Sequence, residues 1–199
     1  MFYLTNELPE PVGYVTISET EPWGRWLAAS IPLGLHRDVR NRLMSNLKHI
    51  LVGLEMKAAL VIPHQLREQG HSLLFEPYAQ ILHFEFCTGV FSVCEGLGSA
   101  QYLVDTGNDG AGGDRVWFNQ WREPLAAHVG AEDVQQFLTA LSIVQAVRDK
   151  LHQDRLGARE NIDWHAFSYD AAFVPALDVL QTLFTLNSDR LPAATNLNQ

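Results

Sequence analysis

Arg148 and His152 stand four residues apart in a stretch of helical spacing, so on a helix they project together from one face. A guanidinium offers a rigid fork of donors that fits a phosphate or carboxylate, and an imidazole titrates near neutrality, so the pair has the makings of anion binding joined to proton transfer. Both continue the stripe begun by Val134, Leu138, Leu141 and Gln145. An apolar stripe that turns polar in its last turn marks either a cleft or emergence into water, and cations near a helix C-terminus also gain from the helix dipole. A second group is His83, Cys87 and Cys94, which fall in one narrow stripe at about 100° per residue and would make a partial zinc site. A closed zinc site needs four ligands, and no tightly spaced Cys or His pair elsewhere completes this one. The two cysteines would lie about 10 Å apart along a helix, too far for a disulfide. Glu95 is the odd polar residue among Phe84, Phe91 and Tyr102; solvent, a cation or a raised pKa would each accommodate it.

The polar loop from Asp105 to Asp114 fits neither of the motifs its glycines suggest. It lacks the Gly-Lys-Ser/Thr ending of a phosphate loop. As a calcium loop it has Gly107 at the third position and Val116 at the twelfth, where oxygen ligands belong. A solvated, flexible connection is expected, long enough to act as a lid. The Glu-x-x-His pairs of di-iron bundles do not occur on the long helices, and no cofactor is expected.

The run Val147-Arg148-Asp149-Lys150-Leu151-His152-Gln153-Asp154, between the last two helices of an apparent bundle, resembles the signature of the HEPN superfamily. Those are small helical-bundle domains, often dimeric, whose catalytic members are metal-independent ribonucleases. The resemblance implies that Arg148 stabilises a phosphate, Asp149 fills the adjacent polar position and His152 works as acid or base; Glu95 and Gln145 are candidate supporting residues from their positions in the sequence. The family usually places four to six residues between Arg and His; here there are three. Arg159 and His165 give an alternative pair with five between them, but Glu160 follows that arginine. Cleavage of this type needs a group to take the proton of the ribose 2′-hydroxyl and a donor for the leaving oxygen. One histidine per chain becomes two in a dimer. The competing reading is a non-enzymatic bundle that binds a protein partner or a small ligand, with Arg148, His152 and Glu95 as a structural ion-pair network.

The elements that must hold these residues follow from periodicity. Val39, Leu43, Leu47, Ile50, Leu54 and Val61 predict a first long helix over His36 to Ile62, ended by Pro63. Tyr78 to Asp105 predicts a second, apolar enough to be central. Its small residues Gly89, Val93, Gly96 and Ala100, flanked by Ser92 and Ser99, mark a close helix contact within the bundle or between subunits; a homodimer through helix packing is expected. Val116 to Trp121 reads as a short aromatic element closed by Pro124, with Trp117, Phe118 and Trp121 either at an interface or capping the bundle. A third helix covers Ala131 to His152. A fourth begins between Asp163 and Asp170 and runs to Leu186, with Pro175 kinking it or marking its start. Residues 1–34 carry Pro9, Pro11, Pro22 and Pro32. They predict an irregular arm without a helix of ordinary length, holding a short strand over Val12 to Ile17 and packed on the domain through Trp23, Trp26 and Leu27.

The fold class is therefore all-α: a bundle of four long helices over 35–190, with the proline-rich arm before it and a flexible tail over 191–199. The chain has 199 residues, 47% of them apolar, enough for one substantial core. A net charge of −9 argues against a broad, sequence-independent phosphate binder and leaves room only for a local basic site that could meet RNA. Ile81 to Val104 carries His83, Glu85 and Glu95, which makes it a poor membrane span. With no secretory signal and two unpaired cysteines, a reducing, cytoplasmic setting is expected.

Overall fold

The computed structural model describes residues 3–5, 14–16, 20–61, 76–130, 132, 134–150, 163–192 and 197. Among them are six α-helices: α1 (Thr20–Ser30), α2 (Arg37–Val61), α3 (Glu76–Asp105), α4 (Phe118–Val129), α5 (Val134–Asp149) and α6 (Val174–Leu183). The protein is all-α in its core. Two three-residue strands, β1 (Tyr3–Thr5) and β2 (Tyr14–Thr16), pair in parallel, with Tyr3 opposite Tyr14. The short strand expected in the arm is β2.

The centre is α3, thirty residues long and apolar on most of its circumference, as a helix enclosed on several sides must be. It packs against α2, α4, α5, α6 and the turns before α6. The small residues decide which helix comes close on which side. A methyl group on Gly89 would lie 2.8 Å from Leu54 Cδ2, and one on Gly96 would lie 3.0 Å from both Leu43 and Leu47. The small-residue stripe is thus the seat of α2, and of the two alternatives the contact within the bundle is the one observed. Gly98 serves α4 in the same way: a methyl there would meet Trp121 Cε3 at 2.5 Å and the Trp121 carbonyl at 3.0 Å.

Two proline assignments are corrected. Pro22 does not keep a helix out of the arm, because it falls in the first turn of α1, where the missing N–H has no partner to lose. Pro124 does not close the aromatic element; it lies inside α4, which runs on to Val129. Burial of Trp121, Leu125, Ala126 and Val129 along one face outweighs the lost hydrogen bond. Gly130, at φ 61°, then ends the helix. Pro175 marks the start of α6, which follows a short 3-10 turn (Trp164–Phe167) and a π-helical turn (Tyr169–Phe173).

The glycine-rich loop is exposed along most of its length, as a solvated connection should be, and carries its own hydrogen bonds. Asn108 N–H donates to the Leu103 carbonyl at 2.8 Å and Gly107 N–H to Val104 at 3.0 Å, closing α3 with Gly107 at φ 75°. Asn108 Nδ2 donates to Asp114 at 2.7 Å, and the Asn108 side-chain oxygen accepts from Gly110 N–H at 2.8 Å. The Asp109 carbonyl accepts from His36 N–H at 2.8 Å at the entry to α2. Short polar side chains bonding their own backbone make a folded turn here.

The described part of the arm that carries the tryptophans, α1, packs on the core. Trp23, Trp26 and Leu27 are fully buried, and both tryptophans pack on Phe184. Trp26 Nε1 donates to the Leu186 carbonyl at 2.7 Å. In the stretch expected to be a flexible tail, Leu197 is fully buried in the core.

Candidate functional site

Arg148 and Asp149 form the last residues of α5, and their side chains bond each other: Arg148 Nη1 donates to Asp149 Oδ1 at 2.8 Å. The guanidinium carbon lies 5.1 Å from the ring centre of Phe91 on α3, a cation–π contact that fixes its direction. The Arg148 side chain keeps 32% of its surface exposed and Asp149 46%. Among the described residues one N–H of its five is engaged, by Asp149.

Phe91 is the first of a run of rings. It stacks on Phe118 of α4 at 6.1 Å, both meet Trp121 edge-on, and the Arg122 guanidinium sits 5.8 Å from the Phe118 ring centre. Just before α4, Arg115 lies 3.9 Å over the ring of Trp117. Position by position, the aromatic element divides: Trp121 is buried, Phe118 half-buried and Trp117 exposed. Two arginines thus lean on the ends of a stacked phenylalanine pair, and a third covers one face of the tryptophan beside it. Periodicity along α5 alone could not reveal this, since the partners come from α3 and α4. The i,i+4 spacing of Phe118 and Arg122 and the Arg-Val-Trp run at 115–117 were the available signals.

The other expected residues are distributed as follows. Gln145, one turn before Arg148, is half-buried. Glu95 is half-buried one turn beyond Phe91 on α3; among the described residues the ion pair of Arg148 is with Asp149 and not with Glu95. His165 is exposed in the 3-10 turn, its backbone N–H donating to Asp163 Oδ1 at 3.1 Å. That turn approaches the end of α5, where Lys150 Nζ lies 5.6 Å from the Phe167 ring centre. His152 and Arg159 fall outside the described residues.

The residues of the zinc alternative lie on α3. Among the described residues no three His, Cys, Asp or Glu side chains come together as a metal-binding group. His83, Cys87 and Cys94 share their stripe but face the protein interior: His83 Nδ1 bonds the Phe167 carbonyl at 2.9 Å and Cys87 Sγ points to the Val144 carbonyl at 3.7 Å. Burial pushes the Cys87 thiol from the usual 9.0 up to about 12, and Cys94 is pushed up by burial and by its neighbour Cys87. Both cysteines are free, as their spacing requires.

A groove of about 530 Å³ lies toward the other end of α5, lined by Val129, Glu132, Phe137, Asp178, Val179 and Thr182 among others. It does not include Arg148. Among the described residues no helix is long and apolar enough to cross a membrane. Compared with protein families, with curated proteins and with solved structures, the chain finds no match.

Proposed function

We propose that the chain is a HEPN-like, metal-independent ribonuclease acting at the end of α5. The observation that carries this reading is Arg148, held between Phe91 and Asp149 with part of its fork exposed. A guanidinium aimed in advance pays less entropy on binding a phosphate and stabilises charge that develops on it. In the proposed reaction His152 takes the proton of the ribose 2′-hydroxyl; the 2′-oxygen bonds to phosphorus as the bond to the 5′-oxygen breaks, and that oxygen leaves with a proton. The donor is a second histidine, supplied by a homodimer in which two copies of this segment face the same RNA. The setting is a reducing cytoplasm. Because α2 occupies the small-residue stripe of α3, the dimer face lies elsewhere on the molecule.

Purified protein given labelled RNA in the presence of a chelator is the test. Wild type cleaves, and His152→Ala loses about 10²–10⁴ of the rate, the usual share of a general acid or base. Cleavage that survives this substitution unchanged overturns the reading.

One observation favours a second reading. The bond from Arg148 to Asp149 and its contact with Phe91 also give the arginine a structural task, as a non-enzymatic bundle that binds a protein partner or small ligand requires. In that case wild type cleaves no RNA, while Arg148→Ala still lowers the melting temperature.

A further inference from the structure

We propose that the arginine and aromatic edge leading from Arg148 over Phe91 and Phe118 to Trp117 and Arg115 binds single-stranded RNA, with Trp117 as a platform for one unpaired base. This rests on reading Arg148 as a phosphate-facing group, and it names the form of RNA that site takes.

Trp117 is 54% exposed, an unusual condition for so large an apolar ring. Its backbone and one of its faces are engaged. Arg115 covers one face at 3.9 Å from the ring centre, and the Trp117 backbone N–H donates to Gln120 Oε1 at 2.8 Å, whose Nε2 donates to the Tyr102 hydroxyl at 3.0 Å. A ring with accessible surface and a guanidinium beside it is what base stacking and phosphate contact require together. Arg122 and Arg148 continue the positive charge along the Phe118 and Phe91 pair. Glu123, 3.7 Å from Arg122, and Asp149 temper that charge. The site therefore suits a few phosphates and not a long duplex track, consistent with a chain of net charge −9. A base can stack on Trp117 only if it is free of its own neighbours, which selects a single strand over a helix.

The probe is a fluorescein-labelled oligouridine, titrated at several salt concentrations into the His152→Ala protein so that it is not cut. Binding is expected to quench tryptophan fluorescence and to weaken with salt at a slope of about −2, the value for three neutralised phosphates on a single strand. Trp117→Ala weakens binding about tenfold at unchanged slope; Arg115→Gln reduces the slope by about 0.7. Both residues are exposed, so circular dichroism and melting should match the parent. Equal affinity for Trp117→Ala with an unchanged Arg115→Gln slope, no binding by the parent, or equal binding of duplex RNA each overturns the platform. Chelator-resistant cleavage by wild type separates the two ideas. If cleavage depends on His152 but binding ignores Trp117, only the platform fails; if Trp117 governs binding and nothing is cleaved, only the nuclease reading fails.

Discussion

At the scale of single residues, the physical setting of each side chain separates groups that can do chemistry from groups that only fill space. Cys87 and Cys94 look chemical in the sequence and are inert in the fold, because burial favours the neutral thiol. In the native protein both should react with iodoacetamide far more slowly than after unfolding in guanidinium; equal rates in the two states would contradict their burial. The same shift sets a pH dependence. The unfolded chain gives up the Cys87 proton near 9.0 and the folded chain only near 12, so this contribution to stability is full below 9 and is lost as pH rises toward 12. The Cys87→Ala variant should lose less stability than wild type between those limits in alkaline denaturation. Arg148 was legible as a candidate from its type and position. Its seat on Phe91 was not, since the two meet only through the packing of α5 on α3. Glu55 was missed for a similar reason: a carboxylate in a helical run reads as solvated, yet it is fully buried with Trp23 Nε1 at 3.4 Å.

Elements were legible wherever their apolar residues repeat over several turns. α2 and α3 lie within two residues of the limits their spacing predicts, because a long stripe averages over local exceptions. α1 and α4 were not, since each is short and carries a proline that reads as a stop when its place in the helix is unknown. The docking of Trp121 against Gly98 is part of the buried face that holds α4 through Pro124. Gly98→Ala should therefore destabilise the protein by about 1–3 kcal/mol, the usual cost of overpacking, as measured by urea denaturation. A change near zero would mean that α4 can move away without loss, and that the close crossing with α3 does not hold it.

Across the whole molecule, distant parts of the chain are bound together. The Trp26 indole bonds the Leu186 carbonyl, His128 Nε2 bonds the Ser30 carbonyl at 3.1 Å, and Asn187 Nδ2 donates to the Ser30 hydroxyl at 3.3 Å. α1 is consequently part of the core, and Trp26→Ala should cost about 3–5 kcal/mol while keeping a single cooperative transition; a separate early transition would instead make α1 an independent unit. The most direct measurement is the rate of RNA cleavage, in the presence of a chelator, by wild type beside Arg148→Ala and Arg148→Lys, with folding checked by circular dichroism. The account predicts chelator-resistant cleavage that falls about 10²–10³-fold in the alanine variant, and that lysine, a point charge without the planar fork, restores little of it. Cleavage by folded Arg148→Ala at the wild-type rate would contradict it, as would a wild type that leaves every RNA intact.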